Sequence, residues 1–196
     1  PKCRTPDMKL LVLLLATLLP LHAQSGEKIV AAARKQVGVT VSYDPAYQNL
    51  DYPGGEVPRD RGVCADVLIR AMRDGLSVDL QKLVHEDMRG HFGAYPKLWG
   101  LSKPDKNIDH RRVPNLRAYL KRRGFELKTP KAGNTAVFLP GDIVTCTVPP
   151  NLPHVMIVSD RRTDTGVPLV IHNIGGGARE EDSLTAFPIT GHYRWQ

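Results

Sequence analysis

The sequence predicts an α+β fold in which helices precede an antiparallel sheet. Up to about residue 135, apolar residues recur at spacings of three and four, which is typical of helices with one buried face. Beyond that point, short segments rich in β-branched residues are separated by Pro, Gly, Asn or Asp, which is typical of strands joined by turns. Because helices and strands are segregated along the chain, the pattern favours an α+β layout.

Four helical segments are predicted. Ser25 can cap the first, "EKIVAAARKQV", which stops at Gly38. After a loop rich in Tyr, Pro and Gly, the second helix begins at Cys64 and ends near Gly75. The third and fourth helices, "DLQKLVHEDM" and "NLRAYLKRRG", are joined by an irregular segment that carries "YPKLWGL" and "NIDHRR".

Five strands are predicted from about residue 135 onward. They are "TAVFL", "DIVTCTV", "HVMIVSD", "PLVIHNI" and the terminal "GHYRW". In "DIVTCTV" the alternation places Cys146 on one side with Val144 and Val148, so its default role is apolar packing. The strand of Cys146 directly precedes the strand of His154, and we expect the two to lie side by side.

The N-terminal residues predict export. Residues 1–7 are interpreted as lying upstream of the true start. Residues 8–23, "MKLLVLLLATLLPLHA", combine a basic residue, an apolar run and a small residue before a polar stretch, which is typical of a signal peptide. The run is too short to predict a stable membrane anchor. We therefore expect a periplasmic or secreted protein with a single domain at residues 24–196.

The net charge of the chain indicates which kinds of partner to expect. The chain has 196 residues and a formal net charge of +7, which suits an anionic partner such as a cell-wall polymer or a membrane surface. Nucleic acid is not expected, because the basic residues are spread and the chain is predicted to be exported. Two cysteines remain after residue 23, Cys64 and Cys146. They do not make a disulfide scaffold, although one bridge between them is an open alternative in an oxidising compartment.

Cys64 allows two interpretations. A buried cysteine is a good small hydrophobe, whereas a cysteine in the first turn of a helix lies where the dipole favours its thiolate. His154 and His172 lie on two successive predicted strands, so they can supply a base and an orienting group to a nucleophilic thiol. His172 shares its face with apolar residues, and an imidazole there needs a hydrogen-bond partner.

The run "YPGGEVPRDRGVCADVLIRAMRDG" resembles the nucleophile segment of the NlpC-type cell-wall peptidases, in which a tyrosine and a Gly-Gly pair precede a cysteine that opens a helix. Tyr52, Gly54, Gly55, Cys64 and Gly75 occupy the matching places. The segments "PGDIVTC", "HVMIVSD" and "VIHN" resemble that family's successive strands, the second of which begins with the catalytic histidine.

A closer resemblance covers nearly all of residues 25–196. The segments "GVCADV", "LVHEDM", "NIDHRRVPNL" and "ITGHYRW" resemble the YijF-like proteins, a poorly characterised group of exported bacterial proteins. Val63 and Ala65 stand where the peptidases usually have Asp and Ser, so the polar support of the cysteine differs. The helical segment near residues 76–135 resembles an insertion that shapes the substrate groove.

The resemblance implies a papain-like NlpC-type fold, with helices packed on a short antiparallel sheet and the nucleophile at a helix N-terminus. It implies that Cys64 attacks an amide carbonyl as a thiolate, its pKa lowered by the helix terminus and an adjacent imidazolium. His154 is the implied base and acid, and His172 the implied orienting group, with Asn173 a weaker substitute because it should point to the opposite face.

Further residues are candidates for oxyanion stabilisation or substrate binding. The "DHRR" run is either a solvated charge cluster or the source of a guanidinium that binds a peptide carboxylate or a muramyl acid group. Trp99, with its neighbour Tyr95, is interpreted as core in preference to a carbohydrate platform. No metal and no cofactor are expected. The full candidate set is Tyr43, Tyr52, Asp66, Arg111, Arg112 and Asn173.

These features together predict an exported cysteine amide hydrolase that acts on peptidoglycan stem peptides through a thioacyl intermediate. The expected partners are peptidoglycan or its muropeptides and a cognate inhibitor protein, and the expected state is a monomer. Two alternatives stay open. One is a thiol acyltransferase or hydrolase of lipid or protein substrates on the same fold, and the other is a non-catalytic wall-binding module.

Overall fold

The computed structural model describes residues 18–131 and 133–196, with side chains from residue 24 onward. Two short 3₁₀ turns, Phe92–Ala94 and Asp109–Arg111, lie within the irregular segment. The four α-helices of this part of the chain are α1 (Leu18–Arg34), α2 (Cys64–Leu76), α3 (Leu80–His91) and α4 (Val113–Arg122).

Within the described ranges, eight strands form two sheets. A parallel pair of two-residue strands, β1 and β2, lies in the loop before α2, and the other six strands form one antiparallel sheet in the order β3-β8-β4-β5-β6-β7. The α+β prediction is thereby confirmed. The strands are β1 (Ser42–Tyr43), β2 (Arg61–Gly62), β3 (Glu126–Leu127), β4 (Ile143–Val148), β5 (Leu152–Arg162), β6 (Pro168–Asn173), β7 (Ala178–Glu181) and β8 (Ile189–Tyr193).

The large sheet separates two apolar cores. Side chains alternate between its faces. One face, which includes Val155, Ile157 and Ile171, packs against α1 and α2. The opposite face, which includes Cys146 and Met156, forms a smaller core that loops 135–142 and 182–188 cover. Cys146 is thus an apolar packing residue on the strand beside β5, as the alternation predicts.

The N-terminal predictions fall partly outside the described residues. Residues 1–7 and most of the predicted signal peptide, residues 8–17, lie there. The helix α1 already includes residues 18–23, so Ser25 lies inside α1 and does not cap it. Leu and Ala, which are strong helix formers, precede Ser25 and favour helical backbone. No helix among residues 18–131 and 133–196 is long and apolar enough to cross a bilayer.

The strand predictions are right for four segments and wrong for "TAVFL". That segment forms turns because the Asp142 carboxylate accepts the backbone N–H of Leu139 at 2.9 Å and Phe138 turns into the smaller core. The structure adds the short strands β1, β2 and β3, and also β7, which directly follows the three glycines at 175–177.

Candidate active site

Cys64 is the first residue of α2, and Asp66 holds the backbone in front of it. The preceding residue, Val63, is extended (φ −100°, ψ 178°), and its N–H donates to Asp66 Oδ2 at 2.6 Å. At Gly62 φ is +153°, and a Cβ atom there would lie 2.8 Å from the same oxygen, so the position requires glycine. Together these contacts set the thiol at the positive end of the helix dipole.

The Cys64 thiol is buried. Only 4% of the residue is exposed, and the backbone N–H groups of Val155 and Ala65 donate to the sulfur. Burial raises the pKa of the thiol to about 11, although these backbone hydrogen bonds oppose the shift. The expected lowering of the pKa is therefore wrong for the resting protein, because helix position is visible in a sequence whereas depth of burial is not.

Two histidines and a glutamate form a continuous chain on β5, β6 and β7. His154 Nε2 lies 2.8 Å from His172 Nδ1, and His172 Nε2 lies 3.0 Å from Glu181 Oε1. The register of β6 and β7, in which Val170 opposes Glu181, brings the carboxylate to the same face as His172. Sequence reasoning missed Glu181, since no strand is predicted between "PLVIHNI" and "GHYRW".

The Glu181 carboxylate determines where the protons lie on both rings. A carboxylate only accepts, so His172 carries its proton on Nε2 and presents a lone pair at Nδ1. His154 Nε2 must then donate to that lone pair, which leaves His154 Nδ1 unprotonated. Within the described part of the chain, His154 Nδ1 has no hydrogen-bond partner. The buried chain therefore produces an imidazole whose free nitrogen is a base.

Burial keeps both imidazoles neutral. It lowers the pKa of His154 to about 3, with a smaller contribution from the charge of His172. Burial also lowers the pKa of His172, against the opposing effect of Glu181. At neutral pH the site thus combines a protonated thiol with a neutral imidazole, in place of the expected ion pair.

The thiol and the His154 imidazole lie on opposite faces of β5. His154 is the residue immediately before Val155, whose N–H donates to Cys64. The pairing of His154 with Cys146 turns its side chain to the face opposite α2. No hydrogen bond joins the Cys64 thiol to either imidazole across residues 18–131 and 133–196.

A neutral buried histidine makes the fold sensitive to acid. Between its ordinary pKa of 6.5 and its folded pKa of about 3, His154 binds fewer protons in the folded chain than in the unfolded chain, so acidification favours unfolding. When the pH is lowered from 7 to 5, we expect the unfolding free energy of the wild type to fall by about 2 kcal/mol more than that of the His154→Gln variant. Thermal or urea unfolding at both pH values measures this difference.

The control for this pH dependence is His91→Gln. The His91 side chain is 56% exposed, so its replacement should not reproduce the effect of His154→Gln. An identical loss of stability in the wild type and in His154→Gln would show that His154 is not held neutral by the fold.

A cleft of about 460 Å³ opens onto Cys64. Its walls come from the loop before α2, from the predicted insertion and from the turn before β5, and include Tyr43, Cys64, Trp99, Arg112 and Pro153. Trp99 is 37% exposed here, so its assignment to the core is wrong, whereas Tyr95 is buried as expected. Residues of the segment 76–135 therefore line the groove beside the thiol.

Three candidate residues lie near the thiol. Tyr43 lies beside the sulfur, whereas Asp66 and Arg111 hold the backbone around Cys64. Tyr43 lines the cleft with Cys64, and burial raises the pKa of Tyr43 to about 12, with a smaller contribution from Cys64, so its hydroxyl remains a donor at neutral pH. Asp66 and Arg111 form a buried ion pair at 2.9 Å. Arg111 also donates to the carbonyls of Asp44 and Ala46, so its contacts are internal.

The remaining candidates are spread over the molecule. Asn173 donates to the carbonyls of Ser42 and Gly62 and so ties β6 to the small parallel sheet, on the face opposite His172 as predicted. Tyr52 lies away from the thiol and packs its ring against His85, with the centroids 5.1 Å apart. Tyr52 is therefore not placed to stabilise an oxyanion.

Cys64 and Cys146 are both free thiols, so the disulfide alternative is wrong for this structure. Cys146 lies opposite His154 in the sheet and inside the smaller core. Burial raises the pKa of Cys146 to about 12, with a smaller contribution from the charge of Cys64. No group of three or more His, Cys, Asp or Glu side chains that could hold a metal occurs in the part of the chain that the structure describes.

Fold and site define an α+β protein in which a buried cysteine opens a helix on one face of an antiparallel sheet and a His-His-Glu chain lies on the other face. The chain belongs to the family described as "Domain of unknown function (DUF1287)", which matches residues 30–195. It is similar to the "Uncharacterized protein YijF" of Escherichia coli (strain K12), with 50% identity over 179 residues, or 91% of this chain and 86% of the relative. The YijF-like resemblance is thereby confirmed. No solved structure matches.

Proposed function

We propose that this protein is an exported cysteine amide hydrolase of the papain-like NlpC type that acts on peptidoglycan stem peptides. Cys64 is the nucleophile, His154 the general base and acid, and His172 the group that orients His154. The signal-peptide pattern of residues 8–23 supports export to the periplasm or beyond.

One observation carries the proposal. The hydrogen-bonded chain from Glu181 through His172 leaves an unprotonated Nδ1 on His154, and the next residue of β5 donates its N–H to the Cys64 sulfur. A nucleophile, a base and a group that orients the base are the parts that thiol acyl transfer requires.

The neutral resting pair implies that proton transfer accompanies attack. His154, at the start of β5, must turn from the opposite face of the sheet toward the cleft for this step. The Cys64 proton then moves to His154 Nδ1 as the sulfur bonds to the amide carbonyl carbon. The developing oxyanion is met by the backbone N–H of Cys64 and by the Tyr43 hydroxyl. His154 then protonates the leaving amine as the C–N bond breaks, and water, deprotonated by His154, hydrolyses the thioester.

The cleft suits a peptide more than a compact metabolite. It is open, its volume is about 460 Å³, and its charged lining residues among those described are arginines. A basic cleft favours an anionic substrate, and stem peptides of cell walls carry carboxylates. The positive net charge of the whole chain acts in the same direction.

Incubation of the purified protein with muropeptides, followed by mass spectrometry, tests the function. We expect a new peptide or a released stem whose mass has gained one water. Exchange of the acyl group onto an added amine or alcohol without hydrolysis would instead indicate an acyltransferase. Unaltered but bound muropeptide would indicate a wall-binding module, and either result would contradict the hydrolase.

Glu181→Gln tests the carboxylate-ended chain. A carboxamide can donate or accept, so it no longer specifies the tautomer of His172. We expect kcat to fall about 10- to 100-fold, a part of the total contribution of a general base, with little change in KM. Because Glu181 raises the pKa of His172, the acidic limb of the kcat/KM profile should move to lower pH.

Glu180→Gln is the matched control. Glu180 is adjacent in sequence but pairs with Arg34 of α1 on the other face, so its loss should affect stability and leave the acidic limb in place. Unchanged kcat and an unchanged pH profile in Glu181→Gln would remove Glu181 from the site.

A further inference from the structure

Two adjacent arginines line the cleft, and their surroundings differ. Nε and Nη2 of Arg111 bind the buried carboxylate of Asp66, and its terminal nitrogens also reach backbone carbonyls. Its charge is therefore neutralised within the fold. Arg112 uses one nitrogen, Nη1, on Asp109 Oδ1 at 3.1 Å. In the described ranges, nothing accepts from its Nε or Nη2.

The guanidinium of Arg112 is held in place by an aromatic ring. Its Cζ lies 4.1 Å from the centroid of the Trp99 ring, a separation typical of a cation–π contact. Trp99 remains 37% exposed and lines the same cleft as Cys64. Stacking on one face and the ion pair to Asp109 restrict the guanidinium, so less entropy is lost when a ligand binds.

We propose that Arg112, stacked on Trp99, forms a carboxylate-binding subsite of the Cys64 cleft and selects peptides with a free carboxylate near the bond to be cleaved. The unpaired Nε and Nη2 make the planar fork that binds both oxygens of a carboxylate. This inference rests on the proposed function and specifies its substrate. It gives the insertion, which carries both Trp99 and Arg112, a role in selectivity.

Binding to the Cys64→Ala variant tests the subsite without turnover. The probes are a synthetic stem tripeptide with free carboxylates and the same tripeptide with every carboxylate converted to a carboxamide, titrated by calorimetry. We expect the carboxylate form to bind about 10- to 100-fold more tightly, the usual effect of a hydrogen bond to a charged group. Adding Arg112→Gln should abolish this preference, and adding Arg112→Lys, which retains the charge without the fork, should retain only part of it.

Arg123→Gln is the control for loss of one positive charge, because Arg123 is exposed at the end of α4. It should leave the preference intact. Equal affinity for the two tripeptides, no binding of either, or a full preference in Arg112→Gln would each overturn the subsite. The results also distinguish the subsite from the proposed function. A preference for the carboxylate form without hydrolysis by the wild type would contradict the hydrolase but support the subsite. Hydrolysis without that preference would contradict the subsite but support the hydrolase.

Discussion

Cys64→Ala should abolish hydrolysis while the fold persists. We expect turnover of muropeptides to fall by about 10⁴-fold or more, since removal of a covalent nucleophile eliminates the whole acyl-enzyme route. Alanine suits the first turn of α2, and loss of one buried sulfur should cost about 1 kcal/mol of unfolding free energy. Product formation by mass spectrometry and thermal unfolding followed by circular dichroism measure the two effects.

Cys146→Ala is the matched control for this substitution. Cys146 is the other buried thiol, and it lies opposite His154 but packs in the smaller core. Cys146→Ala should cost a similar amount of unfolding free energy and leave turnover within about twofold. The substitution removes packing in the smaller core but no group that takes part in the reaction. Activity that survives in Cys64→Ala, or is lost equally in Cys146→Ala, would contradict the assignment of the nucleophile.

His154→Ala should be nearly as damaging as Cys64→Ala. The base and the nucleophile act as one unit, so removal of either eliminates most of the same rate enhancement. His172→Ala should be milder, by about 10- to 100-fold in kcat, because His154 keeps its own nitrogen and loses only its orientation. Single-turnover kinetics on one muropeptide, with all variants at equal concentration, provide the comparison.

His154→Gln serves as the second variant, since it fills the space that Ala leaves and guards against loss of folding. Folding of each variant is checked by near-ultraviolet circular dichroism before assay. Equal and negligible losses for His154 and His172 variants would contradict the proposed base, and attention would then pass to His110 or His192, which are also buried.

Much of the arrangement around the thiol could be predicted locally. Helical spacing after Cys64 predicts a helix that begins there, and the observed α2 begins at that residue. Alternation predicts that His172 and Asn173 point to opposite faces, and their partners, Glu181 and the carbonyls of β1 and β2, confirm it. These features can be predicted because the repeat of a helix or a strand is only a few residues, so a single helix or strand contains several repeats.

Other features depended on contacts between distant segments. Arg111 and Arg112 are neighbours in one charge run, yet Arg111 reaches Asp66 of α2 and Arg112 faces the cleft. Composition alone could not distinguish them. Glu181 acquired its place because β7 pairs with β6 in a register that sets it beside His172, and a two-residue shift of that register would have moved it away.

The sequence by itself determined the α+β order, the helix that Cys64 opens and the two strands that carry His154 and His172, because each follows from periodicity within about ten residues. Only the tertiary structure decided the protonation of the site. Burial raises the pKa of Cys64 to about 11 and lowers the pKa of His154 to about 3, the reverse of what a helix terminus and a neighbouring imidazolium suggest. Desolvation is the sum of all the atoms that exclude water from a group, and those atoms come from every part of the chain.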